Sequence, residues 1–244
     1  MITNIEATTI ESAWFQALRA TTDANYAFRY RIQRGSFDGD GNYTDALTRH
    51  QLYGLSICIT HPATRPLAPL PPLGLPPTTS DENIEKYFAT KLFNADVPRN
   101  TDYTYGEFIV PRLLDIADML TETPHTNHAV IQIGEPFRTY DNPPCLRLIQ
   151  WIYDGERIHL HTFWRSWDLY AGLPENLGGM QILNEYMSQA TGIDTGTLNA
   201  YSSGAHAYWE IAGDLICALV NTKPEKVSDA FKLNYRVTPP MGEY

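Results

Sequence analysis

The sequence predicts an α/β (α+β) fold, one domain over residues 1–244 built on a mixed, bulged β-sheet flanked by helices. Three features predict it. Asp154-Gly155 separates two strand-like runs, 145–153 and 156–166, and Asp-Gly in that setting is a strong hairpin signal. Met180, Leu183, Tyr186, Met187 and Ala190 recur at helical intervals until Gly192 stops them. A strand-like run from Leu198 to Tyr208 then gives way to a helical one from Trp209 to Val220.

Thr8-Thr9-Ile10-Glu11 has capping-box spacing, and Ile10, Trp14, Ala17, Leu18 and Thr21 follow at helical intervals. The first element is therefore expected to be a helix of about three turns. Tyr30 to Ser36 leads into a turn cluster over 37–42, and Leu52 to Thr60 is apolar and β-branched, which suggests a hairpin. Asp38, Asp40 and Asn42 imitate the start of a calcium loop, but Tyr43 and Arg49 stand where that loop needs Gly and Glu. No calcium site is expected. Seven prolines between Pro62 and Pro77 forbid a regular helix and predict an extended surface excursion. Short helices are expected over Ile84 to Leu92 and over Leu113 to Leu120, the second with Leu113, Ile116 and Leu120 inward. Ala129 to Ile133 reads as a strand, and Gly178 and Gly179, placed at the start of the later helix, allow close backbone packing.

The hairpin carries the first chemical expectation. With a two-residue turn Tyr153 pairs with Glu156, and the register sets Cys145 opposite Trp164 and beside Arg165, far from the turn. A bulge would change the faces of these residues but not their proximity. A fixed positive charge beside a thiol favours the thiolate, which makes a nucleophile. A small buried strand cysteine fits the same placement, and the hairpin alone leaves both readings open.

A net charge of -10 argues against polymeric nucleic acid as a partner, because such binders cluster Lys and Arg. A few local arginines can still hold a small anion. No apolar run approaches the roughly 18 residues of a membrane span, and no secretory leader is evident, so a cytoplasmic protein is expected. Cys58, Cys145 and Cys217 form neither a disulfide framework nor a zinc motif. Cys58 and Cys217 sit in apolar runs and are expected to be inert. His159 and His161 share a strand face, but no Cys, Asp or Glu cluster completes a metal site, and no metal is expected.

One string of motifs goes further: Pro143-Pro144-Cys145-Leu146-Arg147, Arg165-Ser166-Trp167-Asp168, Gly172-Leu173-Pro174-Glu175-Asn176 and His206-Ala207-Tyr208. In order and spacing it resembles the thymidylate synthase and pyrimidine nucleotide hydroxymethylase family. Arg34-Gly35-Ser36, Thr64 to Leu67 and Asp102 to Glu107 extend the resemblance into the first half, in the manner of the family's compact archaeal-type branch. The resemblance implies a thymidylate-synthase-like sandwich, a homodimer with sheets packed back to back, a pyrimidine nucleotide monophosphate substrate and 5,10-methylenetetrahydrofolate as co-substrate. It implies that Cys145 adds to carbon 6 of the pyrimidine, so that carbon 5 becomes nucleophilic. Arg165 and Ser166 would bind the 5'-phosphate with Arg34 as a second candidate, His206 and Tyr208 the ribose hydroxyl, and Asp168 the base end. Tyr105 would assist proton removal from carbon 5, and Glu85 would organise water near the ring. Asn176 would donate to O4 and accept from the N3 proton of uracil, a pattern that cytosine reverses.

The chain also departs from that pattern. Asn127-His128 stands where the family places an arginine pair that reaches the partner's phosphate, which leaves Arg99, Arg112 or Arg138 as substitutes. Leu146 replaces the histidine that commonly follows the cysteine, and no folate-stacking tryptophan precedes Tyr105. The expected activity is dUMP to dTMP. The alternatives are 5-hydroxymethylation of dUMP or of a cytidine nucleotide, with water replacing hydride at the last step, and a nucleotide-binding protein without catalysis.

Overall fold

The computed structural model describes residues 1–32, 36–37, 43–44, 47–99, 101–138, 140, 142–232 and 235–236. A strand, β1 (Thr3–Ala7), opens the chain, with Thr3, Ile5 and Ala7 turned inward by strict alternation. The expected first helix, α1 (Ile10–Thr21), comes second. Its cap is Thr9, whose hydroxyl accepts the Ser12 N–H at 3.2 Å, one residue later than the capping-box reading. The reason lies in the Thr8 carbonyl, which accepts from His61 N–H at 2.9 Å and so prolongs the extended chain past Ala7.

Four strands follow: β2 (Ala27–Arg31), β3 (Ser36–Phe37), β4 (Tyr43–Thr44) and β5 (Thr48–Leu52). The expected hairpin forms between different partners, because Leu52 ends β5, which pairs antiparallel with β2 from Ala27↔Leu52 to Arg31↔Thr48. The chain turns at Tyr53-Gly54, and β6 (Leu55–Ile59) joins the other sheet parallel to β1. The proline-rich stretch is free of helix, as its composition dictates, though Leu67 and Ala68 are buried. Helix α2 (Asp81–Tyr87) runs into a π turn over Phe88–Leu92, and α3 (Gly106–Ile109) into α4 (Leu113–Glu122). Leu113, Ile116 and Leu120 face the core as their spacing predicts.

Strands β7 (Val130–Gln132), β8 (Leu146–Tyr153), β9 (Arg157–Trp164) and β10 (Trp167–Asp168) precede the long helix α5 (Gly172–Thr191). It starts eight residues before the Met180 that marks its apolar face, because Leu173 and Pro174 fill a first turn whose N–H groups need no helical partner. Gly178 and Gly179 therefore sit inside the helix, not at its start. A Cβ on Gly178 would come within 2.7 Å of Ile84 and one on Gly179 within 2.6 Å of Tyr87, so the pair sets how closely α2 lies on α5. Gly192 ends α5 at φ 71°, as expected of a left-handed cap.

The predicted strand from Leu198 to Tyr208 is two strands, β11 (Asp194–Ser202) and β12 (Ala205–Tyr208), parted at Ser203-Gly204 and committed to different sheets. Helix α6 (Trp209–Leu219) follows as predicted, then α7 (Pro224–Lys232) and β13 (Tyr235–Arg236), which the sequence patterns do not reveal. The larger sheet runs β1-β6-β11-β9-β8-β7 and the smaller β10-β12-β5-β2-β13. Both mix parallel and antiparallel pairs. The expected mixed, bulged sheet flanked by helices is present, but divided between a larger and a smaller sheet, with β3 and β4 pairing apart from both. One face of the larger sheet carries Ile57, Trp151, Leu160 and Leu198 into the core. On its other face Tyr201 lies opposite Phe163, each 40% exposed. Among the described residues no helix is long and apolar enough to cross a membrane.

The smaller sheet buries a histidine with a measurable consequence. His50 on β5 is stacked between Trp209 at 3.9 Å and Phe231 at 4.1 Å, and its Nδ1–H donates to the Thr21 carbonyl at 3.1 Å. Burial pushes its pKa down to about 4, with Arg29 adding to the effect. The folded form thus binds fewer protons than the unfolded chain between about pH 6.5 and pH 4, and stability falls as pH falls through that window. A shift of this size is worth about 2 kcal/mol between pH 7 and pH 5. His50→Phe keeps the stack and removes the titration, so its melting temperature should drop less than the parent's over that range in differential scanning calorimetry. An unchanged drop would show that His50 does not carry the acid sensitivity.

Candidate active site

The β8–β9 hairpin brings Cys145 to Arg165, though by a different register from the one expected. Asp154 Oδ1 accepts the N–H groups of Glu156 and Arg157, both at 2.8 Å, which makes the turn four residues long and pairs Tyr153 with Ile158 rather than Glu156. A bulge between Leu146 and Leu148 takes back one residue. Cys145 consequently lies opposite Arg165, whose N–H donates to the Cys145 carbonyl at 2.8 Å. The Arg165 guanidinium turns onto the lead-in to the cysteine, with Nε donating to the carbonyls of Pro143 and Pro144 at 3.2 Å each and Nη2 to Asn142 Oδ1 at 3.4 Å. Arg165 thus holds the segment that presents Cys145, a half-buried free thiol.

Around Cys145 stands a group of phenols of which sequence reasoning singled out only Tyr105. The Tyr103 hydroxyl interacts with the Cys145 backbone N–H and with the Tyr105 hydroxyl, and the two rings lie 5.5 Å apart. Tyr105 meets Trp164 edge-on at 6.3 Å. Burial first, then the neighbouring Tyr87 and Tyr103 and the cysteine, push the Tyr105 pKa well above its ordinary value, so it is a phenol throughout the neutral range. Tyr87 reaches the same place from α2, lying over Gly179 with its hydroxyl beside the Asn176 side chain. Tyr87, Tyr103, Tyr105 and Asn176 line a cavity of about 590 Å³ with Lys91, Thr101, Asp102, Thr104, Asn142 and Glu175. Burial raises the Glu175 pKa.

Arg165, Ser166, Trp167 and Asp168 run on beside β12, where Trp167 pairs with Ala205 and Asp168 with His206. His206 is 2% exposed, and its Nδ1–H donates to the Gly204 carbonyl at 2.8 Å, which leaves Nε2 as an acceptor with no partner among the described residues. Burial, then the charge of Arg49, holds its pKa down to about 4, so the ring is neutral at physiological pH. Its ring meets Tyr208 edge-on at 4.9 Å. Tyr208 OH accepts from Arg49 Nη2 at 2.7 Å, and its own proton is therefore free to donate. An acceptor beside a donor is what a hydroxyl needs. Asp168 Oδ1 accepts the Tyr170 N–H at 3.0 Å, and burial raises the carboxyl pKa against that bond and the attraction of Arg49. Arg49 is the cation that sequence reasoning did not find; it sits half-buried on the face of β5 opposite Thr48, His50 and Leu52, and in the sequence it served only to dismiss a calcium loop.

Arg34 lies outside the described residues. Glu85 is exposed on α2, and Tyr87 is the residue that this helix sends to the cavity, because Ile84 and Tyr87 occupy the face packed on α5. Arg99 is exposed, Arg112 pairs with Asp115 at 3.9 Å, and Arg138 pairs with Glu135 at 3.5 Å and Glu107 at 3.8 Å. His159 bonds Thr197 and Asp154, His161 stacks on Tyr201 at 6.2 Å, and the described residues contain no cluster suited to a metal. A larger cavity of about 960 Å³ between α1, β1 and α7 holds no cysteine or histidine.

A family model described as "Thymidylate synthase" matches residues 85–237. The chain belongs to the thymidylate synthase family. The matched stretch takes in the whole cavity lining from Tyr87 to Asn176, Cys145, Arg165 and the His206–Tyr208 pair, while Arg49 lies before it. Among curated relatives, the "Putative thymidylate synthase" of Methanopyrus kandleri is 31% identical over 143 residues, covering 55% of this chain and 68% of its own. The protein of the same name from Methanosarcina mazei is 27% identical over 148 residues, covering 56% and 68%. Thermostable thymidylate synthase A from Bacillus subtilis superimposes with a TM-score of 0.64 over 92% of each chain at 16% identity, which establishes the shared fold.

Proposed function

We propose that the chain transfers a one-carbon unit to carbon 5 of a uracil deoxynucleotide, converting dUMP to dTMP, with Cys145 as the covalent nucleophile. One observation carries this reading: one cavity is lined both by Tyr103, whose hydroxyl meets the Cys145 backbone N–H, and by Tyr105, Tyr87 and Asn176. A pyrimidine there would have carbon 6 toward the thiol and its O4–N3 edge toward the amide.

The roles follow from the chemistry of each group. The Cys145 thiolate adds to carbon 6, and the electron pair displaced onto O4 is met by the Asn176 NH2 donor. The neutral Tyr105 phenol serves proton removal from carbon 5. His206 Nε2 and Tyr208 take a ribose hydroxyl as acceptor and donor. Arg165 Nη1, Ser166 and Arg34 are the phosphate candidates. The cavity volume and its tyrosine walls fit a flat ring stacked beside the pyrimidine, with Lys91 placed for a carboxylate. 5,10-Methylenetetrahydrofolate, when bound there, supplies the carbon and the hydride. A second copy on the face of Phe163 and Tyr201 completes the reading as a homodimer.

The protein, sized first by light scattering, where twice the chain mass is expected, is incubated with dUMP or dCMP and methylenetetrahydrofolate. Product mass and absorbance near about 340 nm are followed, since oxidation of the folate accompanies hydride transfer. Methylated dUMP with a rise in absorbance supports the proposal. Hydroxymethylated product without the rise replaces it with water capture, and binding without turnover replaces it with a non-catalytic role.

A further inference from the structure

The amide of Asn176 has two chemically opposite ends, and a side chain free to flip could serve uracil in one orientation and cytosine in the other. In this chain it is not free. The Trp167 indole N–H lies 3.0 Å from Asn176 Oδ1. An indole N–H only donates, so the atom facing it must be the oxygen. The opposite flip would set two donors against each other in a site where Trp167 is 2% exposed, and a buried donor left without an acceptor costs about 1–3 kcal/mol. Trp167 is itself immobilised, stacked on Trp164 at a centroid distance of 4.8 Å and an interplanar angle of 8°. The Tyr87 hydroxyl also lies beside the amide, but it can donate or accept and so imposes no orientation of its own.

We infer that Trp167 is a specificity-determining positioning residue: its indole N–H locks the Asn176 amide with NH2 toward the cavity, which selects a uracil nucleotide over a cytosine nucleotide. The lock rests on the function proposed above. With Oδ1 held by the indole, NH2 meets the O4 acceptor of uracil, and the second lone pair of Oδ1 remains for the N3 proton. Cytosine presents an amino donor at the same place and would meet a donor. Acceptance of cytosine then requires the flip that Trp167 opposes.

Trp167→Phe removes the N–H and keeps an aromatic ring for the stack on Trp164. The ratio of kcat/KM for dUMP to that for dCMP should fall by about tenfold or more, the equivalent of the cost of the unpaired donor. A loss of packing alone would lower both nucleotides together and leave the ratio in place. The same substitution is made together with Asn176→Asp, where the ionised carboxylate has two equivalent oxygens and nothing remains to orient. There the ratio should not respond to Trp167→Phe. If Trp167→Phe does not fold, Trp167→Met also removes the donor and is measured in both backgrounds. A ratio within twofold of the parent overturns the inference, as does an equal change whether Asn176 is retained or replaced in Asn176→Asp. If the unsubstituted protein neither binds nor converts either nucleotide, the proposed function itself falls and takes the inference with it, a result distinct from turnover with an unmoved ratio.

Discussion

Cys145→Ser should lower turnover of dUMP by roughly 10³-fold or more while leaving dUMP affinity within a few-fold. The two parts of that expectation have separate causes. The pyrimidine ring is not nucleophilic at carbon 5 until carbon 6 carries a temporary bond, and a serine hydroxyl, with a far higher pKa than a thiol, neither adds nor leaves as readily. Under the proposed mechanism affinity would come from groups that the substitution does not touch: the Asn176 amide, the acceptor at His206 Nε2 and the donor at Tyr208. The change is also nearly isosteric at a half-buried position whose backbone is fixed by the Arg165 N–H at 2.8 Å, so the fold should be retained. Single-turnover kinetics with dUMP, together with equilibrium binding of the nucleotide, separate the two parts. Full turnover by the serine variant would overturn the covalent mechanism.

How much of this could be read from the chain depended on how local its determinants are. The turn at Asp154-Gly155, the Gly192 stop and the helical spacing of Leu113, Ile116 and Leu120 are written within a few residues, and the structure has them. The hairpin register was harder, because Asp154 spends its carboxylate on two backbone N–H groups and lengthens the turn, while the bulge at the far end takes back one residue. Cys145 still met Arg165, since two opposing errors of register cannot carry paired strands apart. The division between the larger and the smaller sheet was not legible: Gly54 and Gly204 each sit at a point where the chain leaves one sheet for the other, and nothing local distinguishes such a point from a kink in one strand.

The site shows the same limit. Cys145, Arg165 and Asn176 belong to contiguous motifs and could be named from the sequence. Tyr87 was missed although Glu85, two residues away, was named, because the choice between them depends on which face of α2 packs on Gly178 and Gly179. That face is set by a helix roughly 90 residues further on, which no periodicity within α2 reveals. Arg49 was missed for a similar reason: its partners Tyr30 and Tyr208 come from two other strands and meet it only once the smaller sheet has formed.

Tyr105→Phe is expected to cost about 10²- to 10³-fold in kcat with the KM for dUMP within a few-fold. The ring stays in place, edge-on to Trp164 and beside Tyr103, so the packing around Cys145 survives and only the hydroxyl is lost. That hydroxyl is an acid held in its neutral form. Burial and the neighbouring phenols push its pKa well above the ordinary value, so it can orient and relay a proton but does not ionise near neutrality. The deficit should therefore be the same at about pH 6 and at about pH 8.5, whereas a phenolate base would make the parent's advantage grow with pH. The hydroxyl also interacts with Tyr103, which in turn meets the Cys145 backbone N–H, so Tyr103→Phe separates loss of the relay from disturbance of the nucleophile. If the relay matters, Tyr105→Phe lowers kcat far more than it lowers the rate at which the isolated thiol is alkylated, and Tyr103→Phe affects the two more evenly. A Tyr105→Phe protein that keeps kcat within about threefold would remove Tyr105 from the chemistry and leave it a wall of the cavity.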